Sequence, residues 1–283
     1  PDATIISTPA DKKAIPKPTD EPSPEEIEAQ SKFPYQSIVG ALLYISISAR
    51  PDISFSVGAC ASHNQDYRSP ARKAVIRILR YLKGTLDKWL TIKIYSLPFA
   101  LIDEDKETCA NIRKQIGPND IVGFCDSDLG GCNITSRSTG GYVFFWRGSI
   151  ISWRSKRQSR VATSVGASEF YCLNNACKEG IYLADMAEVF SGTKPNIHIL
   201  MDNEAAQSMA EFAKFSDKTK HMRIAESFAH EKVNDGTIKL HHIGTASNLA
   251  DIFTKGLGRI AFTRIRDVLL GCHIDTCTED GNM

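Results

Sequence analysis

The sequence has almost no excess of either charge and no long uninterrupted apolar run. Its 283 residues include 34 Lys and Arg against 33 Asp and Glu, a net charge of +1, so the chain has no general attraction to nucleic acid or anionic membranes. Any such binding must come from local patches. The longest apolar runs, such as residues 38–47, fall far short of the roughly 20 residues that span a bilayer, and no charged-then-apolar leader precedes a cleavage site. We therefore expect a soluble globular protein.

The cysteines also lack a pattern. Eight are spread singly or in unlike pairs in a chain large enough to fold without disulfide bonds, which indicates a reducing, intracellular compartment. Cys272, His273 and Cys277 stand close together, but no second matching pair accompanies them. Small buried or tail thiols are therefore a better interpretation than a zinc site.

The first 118 residues divide into a polar segment and a helical one. Residues 1–32 contain six prolines with Asp, Glu and Lys between them, a composition that buries too little apolar surface to offset chain entropy, so we expect a disordered linker. Proline in place of an initiating Met suggests a piece of a longer polypeptide or an incomplete reading frame. Residues 33–118 form the helical segment: a helical pattern covers residues 34–84, and an expected strand at 88–95 and a polar loop at 96–120 come after it.

One predicted helix in this segment carries a basic stripe. It begins with Ser69 as N-cap and Pro70 at the first helical position, and it ends at Gly84, as helix start and stop signals require. Its basic side chains recur at spacings of four and three: Lys73, Arg77 and Arg80. Such a stripe could follow a phosphate backbone, or it could be an ordinary solvated face.

Residues 119–260 have the pattern of a mixed sheet. We expect strands at 121–126, 142–147, 150–154, 196–202 and 237–243, with helices at 167–190, 204–213 and 219–235 and a final helical region from 247. Strands that first form a meander and then alternate with helices predict an α/β (mixed α+β) architecture with helices on the faces of the sheet. Residues 261–283 are expected to form a C-terminal helix and tail.

Four acidic residues stand at the ends of these elements: Asp126, Glu169, Asp202 and Asp251. Polar groups at strand ends in an open α/β sheet lie at the edge where ligands bind, Glu169 lies on the apolar stripe of its helix, and Asp251 follows Asn248 as a plausible cap. Each carboxylate pair at about 4 Å would repel by several kcal/mol at an effective dielectric near 20. Two divalent cations would remove that repulsion and would activate water at a phosphodiester; oxygen ligands favour Mg²⁺, with Mn²⁺ as a substitute.

Taken singly, each acid has an ordinary alternative. Asp126 could cap a turn, and Asp202 with Asn203 could form an Asx turn at the end of a strand. Glu169 and Asp251 could be ordinary first-turn acids of helices. The hypothesis of a metal centre depends on all four occurring at compatible ends of one sheet.

Several ordered segments resemble a known family. Seven segments resemble the ribonuclease H domain of copia-type retrotransposon Pol polyproteins: FCDSDLGG, SRSTGGYVFF, IISWRSKRQ, ASEFY, MDNEAA, TKH and NLADIFTKGL. YQSIVGALLYIS, RPDISFSV and RILRYLKGT resemble the stretch that joins reverse transcriptase to that domain. The similarity covers about residues 33–260.

The resemblance implies a ribonuclease H-like fold, with a five-stranded mixed sheet and helices on both faces, that hydrolyses the RNA strand of an RNA/DNA hybrid with two Mg²⁺ ions. It implies that Asp126, Glu169, Asp202 and Asp251 are the metal ligands. Asp128 is the alternative to Asp126, because residues two apart face the same side of a strand. Ser136, Asn203 and His221 are assigned to nucleic-acid contact. The implied partner is the upstream reverse transcriptase polymerase domain, within intracellular virus-like particles.

The sequence departs from the family at several positions. It also lacks the sequence motif of the family's polymerase. Ala167 and Phe170 stand where the family has Glu and Tyr, and Arg223, Ser227 and His230 replace other common residues. These changes motivate an alternative, a catalytically silent or host-adopted remnant that binds nucleic acid or a protein partner. The chain has no Tyr-x-Asp-Asp polymerase segment, and the order of its acids disfavours a DDE-type transposase.

One histidine has the spacing of a catalytic residue. His241 stands ten residues before Asp251, where related ribonucleases H carry a histidine in a loop that assists product release. His241 lies within a predicted strand, so a strand histidine is the better interpretation.

Overall fold

The computed structural model describes residues 4–11, 13, 15–16, 20–92, 106–131, 136–212 and 227–271. The region before the sheet contains α1 (Pro24–Lys32), α2 (Tyr35–Ser48), α3 (Ser54–Ala61), α4 (Ser69–Lys83) and α5 (Lys106–Gln115). The strands are β1 (Ile121–Asp128), β2 (Thr139–Trp146), β3 (Ser149–Arg157), β4 (Ile197–Met201) and β5 (Ile238–His242). The remaining helices are α6 (Val165–Ser191), α7 (Glu204–Phe212), α8 (Ser227–Asn234) and α9 (Arg259–Leu269).

The five strands form one mixed sheet in the order β3-β2-β1-β4-β5. The β1–β2 and β2–β3 pairs are antiparallel, whereas β1–β4 and β4–β5 are parallel. The β2–β3 connection is a tight turn in which Arg147 and Gly148 both have positive φ, 49° and 78°, as a type I′ hairpin requires. The predicted strands at 142–147 and 150–154 leave residues 148–149 for the turn, so the observed turn begins one residue earlier than expected. The predicted mixed sheet is confirmed.

Helices cover both faces of this sheet, as expected. Ile121, Cys125 and Phe144 contribute to a core with α6, α7 and α8. The alternate residues of β1, Val122 and Phe124, face the other side of the sheet. They contribute to a second core that includes the helical region and α9. The alternation follows from the period of two along a strand, and it makes the helical region and the sheet parts of one packed body.

The predicted linker contains a helix. In α1 the Ser23 hydroxyl accepts a hydrogen bond from the Glu26 backbone N–H at 3.2 Å, and Pro24 opens the helix. Tyr67 donates from its hydroxyl to the Gln30 carbonyl oxygen at 3.2 Å. A local cap and a docking contact therefore order residues 24–32, which corrects the expectation of disorder for that part of residues 1–32.

Two further expectations for residues 88–120 are wrong where the structure describes them. Residues 88–92 contain no strand; the Thr91 backbone N–H instead donates to the Leu270 carbonyl oxygen at 3.1 Å. Helix α5 lies inside the predicted polar loop, because Cys109, Ile112 and Ile116 recur at helical spacing and are buried. Residues 93–95 of the expected strand lie outside the described residues.

The remaining predicted segments are present with shifted ends. Residues 219–226 of the expected 219–235 helix are outside the described part, and α8 forms the rest. Five cysteines of the described part are buried and form no disulfide bond: Cys60, Cys109, Cys125, Cys172 and Cys177. Cys132, Cys272 and Cys277 lie outside the described residues. Among the helices that the structure describes, none combines the length and apolar character needed to cross a membrane.

Candidate metal centre

Two of the predicted acids meet at one edge of the sheet. Asp126 lies on the central strand β1 and is only 3% exposed, and Asp202 directly follows β4. Because β1 and β4 are parallel neighbours, the carboxyl ends of both strands open at the same edge. The two side chains therefore point to a common crevice.

Glu169 completes this group from α6. The helix begins after Ser164, whose hydroxyl accepts a hydrogen bond from the Ala167 backbone N–H at 3.2 Å, and Glu169 follows in the next turn, buried against the sheet. One carboxylate oxygen from each of Asp126, Glu169 and Asp202 lies within 4.8 Å of the others. The structure thus brings three of the four predicted ligands together.

Asp251 approaches the same acids from a short 3₁₀ helix, Leu249–Phe253. Asn248 caps this helix by accepting a hydrogen bond from the Ala250 backbone N–H at 3.0 Å. Lys255, one turn later, pairs with Asp251 through Nζ–Oδ1 at 2.9 Å and lies 3.7 Å from Asp126 Oδ2. Asp251 therefore joins the group through a lysine that also faces Asp126.

A glycine makes this approach possible. Gly141 on β2 pairs directly with Asp126 on β1. A Cβ atom at position 141 would lie 2.5 Å from Phe253 Cβ and 3.0 Å from Thr254 Cγ2, so any larger residue would push the 3₁₀ helix away. The absence of a side chain at Gly141 thus allows the Asp251 segment to pack onto the sheet.

The acids are electrostatically strained in the absence of a cation. Burial raises the pKa of Glu169 to about 9, and the negative charges of Asp126 and Asp202 add to the shift, while hydrogen bonds with Ser127 oppose it. Burial and the charge of Asp126 likewise raise the pKa of Asp251 to about 7, against the opposing effect of Lys255. Among the described residues, the buried Glu169 Oε2 has no hydrogen-bond partner.

These features fit a hard divalent cation. The donors are all carboxylate oxygens, which such ions prefer. A cation would occupy the space between three mutually repelling groups and would supply the missing partner of Glu169 Oε2. Asp126, Glu169 and Asp202 would hold one ion, and Lys255 links Asp251 to Asp126.

Comparison with known proteins gives relatives for most of the chain. No protein-family model matches it. Over 251 residues, 88% of the chain and 17% of the relative, it is 29% identical to the retrovirus-related Pol polyprotein from transposon TNT 1-94 of Nicotiana tabacum. It is 33% identical over 150 residues, 53% of the chain and 91% of the relative, to secreted RxLR effector protein 161 of Plasmopara viticola. The homologues of the chain therefore include retrovirus-related Pol polyproteins from transposons.

The chain corresponds to only a small part of these polyproteins, 17% of the tobacco protein. Among solved structures, ribonuclease H1 from Halobacterium salinarum NRC-1 is 15% identical, with a TM-score of 0.36, and the match covers 48% of this chain and 95% of that one. The fold itself is evident from the chain's own five-stranded mixed sheet with helices on both faces. It is the ribonuclease H-like fold that the resemblance implied.

Asp128, the alternative to Asp126, has a different environment. It is half-buried, its carboxylate lies against Gly131, and burial raises its pKa. It is not among the three residues whose oxygens cluster. The geometry therefore favours Asp126 as the candidate ligand from β1.

The residues predicted to contact nucleic acid differ in their exposure and in their hydrogen-bond partners. Ser136 is exposed, at a positive φ of 52°, and Lys73 is exposed on α4. Asn203 caps α7 through its Oδ1, which accepts a hydrogen bond from the Ala206 backbone N–H at 2.9 Å. His221 lies outside the described residues.

Two members of the basic stripe already have partners from the N-terminal segment. Arg77 donates to the carbonyl and hydroxyl oxygens of Thr8, at 3.1 and 2.9 Å, and pairs with Asp11 at 2.9 Å. Arg80 donates to the Thr4 carbonyl oxygen at 2.6 Å. The face is therefore neither simply solvated nor fully free for phosphate contact.

His241 lies away from the acids. It is buried in β5 with its Nε2 2.8 Å from His198 Nδ1, and His198 Nε2 lies 3.2 Å from Asp120 Oδ2. Burial lowers the pKa of His241 to about 4, and the neighbouring His198 and Lys239 contribute. The structure thus favours a strand histidine in a buried polar group.

Departures from the family sequence at α6 are accommodated by packing. Ala167 and Phe170 are both buried in the core between α6 and the sheet. His230 on α8 lies with Nδ1 2.6 Å from the Ala210 carbonyl oxygen, and Arg223 lies outside the described residues. The described substitutions leave the three clustered carboxylates in place.

Sequence reasoning missed the polar residues that surround the acids. Asn248 was assigned only as a cap, and Thr254 and Lys255 received no role. The spacing of four between Asp251 and Lys255 is a signal for an ion pair. Nothing in the sequence indicates that Thr254 contacts Asp126.

Proposed function

We propose that this chain is the ribonuclease H part of a copia-type retrotransposon Pol polyprotein. Its reaction would be hydrolysis of the RNA strand of RNA/DNA hybrids during reverse transcription, with two Mg²⁺ ions held by Asp126, Glu169, Asp202 and Asp251. The observation that carries the proposal is the buried group of three carboxylates, in which Glu169 Oε2 has no hydrogen-bond partner among the described residues. A structural carboxylate would normally be paired with a cation or donors.

The chain's own residues would prepare the site for the reaction. When bound, two divalent ions would supply an activated water and stabilise the departing 3′ oxygen. Glu169 would lose its proton as the cation arrives, because its raised pKa keeps the carboxyl neutral beforehand. Lys255 balances the charges of Asp126 and Asp251 from the other side. Burial of these groups strengthens each interaction relative to water.

The proposed partners follow from the same assignment. The substrate would be an RNA/DNA hybrid, contacted by the exposed Lys73 and Ser136, with Asn203 and His221 as further candidates. The reverse transcriptase polymerase domain would lie upstream in the parent polyprotein, inside virus-like particles. Arg77 and Arg80 would contact phosphate only after the N-terminal residues leave them.

The experiment is cleavage of a labelled RNA/DNA hybrid by purified protein with Mg²⁺ or Mn²⁺. We expect the wild-type chain to cut the RNA strand and Asp202→Asn to abolish cutting, because one ligand charge is lost from the carboxylate group. Glu204→Gln is the matched control: it also removes an acid near the end of β4, but Glu204 is exposed at the start of α7. It should cut like the wild type.

A folded wild-type chain that cuts no hybrid with either ion would contradict the enzyme assignment. That result would favour the alternative, a silent or host-adopted domain that binds nucleic acid or a protein partner. Loss of cutting in Glu204→Gln as well would show that the assay responds to charge in general.

A further inference from the structure

Residues 248–255 connect the end of the sheet to α9 and reach back to the acids. Asn248 is fully buried, and its Nδ2 donates to Asp202 Oδ1 at 3.2 Å and to the Cys125 carbonyl oxygen at 3.0 Å. Its Oδ1 accepts a hydrogen bond from Ala250 N–H at 3.0 Å. A single amide thus ties together β1, the residue that follows β4, and the helix that carries Asp251.

Thr254 makes the corresponding contact with the other strand acid. It is fully buried, and its hydroxyl donates to Asp126 Oδ2. The Asp251 carbonyl oxygen lies 3.2 Å from the same hydroxyl, but a hydroxyl has one hydrogen, and the carboxylate is the closer and more strongly accepting group. The contact therefore fixes one oxygen of Asp126.

We propose that Asn248 and Thr254 are positioning residues that select which carboxylate oxygen of each strand acid faces the cation. Each holds one oxygen, Asp202 Oδ1 or Asp126 Oδ2, by a hydrogen bond and leaves the other oxygen free to ligate. Both act through the ligand and neither touches the ion. The inference rests on the proposed function, because it assumes that the clustered acids bind a divalent cation.

The expected size of the effect comes from outer hydrogen bonds at known metal sites. Their removal typically weakens metal affinity or activity by about 10- to 100-fold. In this site a freed Asp126 carboxylate could rotate, because the remaining partner that the structure gives it, Lys255 at 3.7 Å, makes a longer and less directional contact. Loss of the Thr254 hydroxyl should therefore act on metal affinity first.

The test compares Thr254→Val with Thr254→Ser. Valine keeps the shape of threonine and removes the hydroxyl, whereas serine keeps the hydroxyl and removes the methyl group. Mn²⁺ binding is measured directly, by titration with paramagnetic resonance of free Mn²⁺, alongside the Mg²⁺ dependence of hybrid cleavage. We expect Thr254→Val to bind Mn²⁺ about 10- to 100-fold more weakly and to regain cleavage at high Mg²⁺, while Thr254→Ser retains most of its affinity.

Controls separate positioning from folding. Thr245→Val makes the same substitution at an exposed threonine and should leave Mn²⁺ affinity unchanged. If Thr254→Val does not fold, Asn248→Ser serves instead: its hydroxyl can still cap Ala250 but is too short to reach Asp202. A folded Thr254→Val or Asn248→Ser chain that binds Mn²⁺ like the wild type would overturn the inference, as would equal losses in the valine and serine variants.

The same measurements keep the two proposals distinguishable. A wild-type chain that binds Mn²⁺ but cuts no hybrid would contradict the proposed function, and the comparison of the variants would still decide the positioning roles. A wild-type chain that cuts hybrid while the variants bind metal normally would overturn the positioning roles alone. Failure of the wild type to bind Mn²⁺ would overturn both.

Discussion

Binding of a divalent cation at neutral pH should release protons from the site. In the metal-free protein, burial and the charges of Asp126 and Asp202 raise the pKa of Glu169 to about 9, and burial raises that of Asp251 to about 7. A carboxyl ligates a metal ion in its ionised form. Each proton held by these two groups before binding must therefore appear in solution after it.

The raised pKa values fix the size of the release. At pH 7 a carboxyl with the pKa of Glu169 is about 99% protonated, and one with the pKa of Asp251 is about half protonated, so full ligation releases roughly 1.5 protons. The number should rise towards two at pH 6 and fall to about one at pH 8. A site built from acids with ordinary pKa values would release almost none across this range.

Calorimetry of Mn²⁺ binding in buffers with different ionisation enthalpies measures this number, because the apparent binding enthalpy changes in proportion to the protons released. Glu169→Gln should bind more weakly and release about one proton fewer at pH 7. Glu204→Gln, at an exposed position, should leave the release unchanged. A release below about half a proton for the wild type at pH 7 would refute the reasoning, since Glu169 would then be ionised before the metal arrives.

Three further predictions concern stability, measured by urea denaturation. Gly141→Ala should cost about 1–3 kcal/mol, because its Cβ would lie 2.5 Å from Phe253 Cβ; an unchanged midpoint would contradict the close approach. Tyr81→Phe should cost about 1.5–3 kcal/mol, since it removes the hydroxyl that donates to Asp52 Oδ2 at 2.5 Å; a near-zero cost would show that the carboxylate finds another donor. His241, with its pKa lowered to about 4, should make the wild type lose stability as pH falls from about 6.5 towards 4, because the unfolded state takes up the proton first; an equal acid loss in His241→Gln would contradict this.

The sheet and its acids were largely predictable because their signals are local. Short apolar segments mark all five strands, and the observed ends of β4 and β5 differ from the predicted ends by one residue at each end. Parallel neighbouring strands bring Asp126 and Asp202 to one edge, which strand order alone implies. Helical spacing placed Glu169 on the buried face of α6.

Other elements were not predictable from composition or alternation. The pattern of residues 88–92 predicts a strand, but within the described part of the chain they pair with no strand, and the Thr91 backbone N–H donates instead to the Leu270 carbonyl oxygen. The strand propensity of these residues is therefore overridden by their tertiary contacts. Helix α1 was hidden by the prolines around it, although Ser23 and Pro24 form an ordinary helix start. Its docking through Tyr67 depends on a contact 37 residues away.

The four acids look equivalent in the sequence but are not equivalent in the structure. Asp126, Glu169 and Asp202 form a tight group. Asp251 instead lies on a separate 3₁₀ helix and forms an ion pair with the Lys255 side chain. Its approach depends on the empty space at Gly141. If two ions bind, the group of three should therefore fill first, and the second ion must compete with the Lys255 ammonium for Asp251. Binding isotherms with two unequal affinities would agree with this order, and two equal affinities would argue against it.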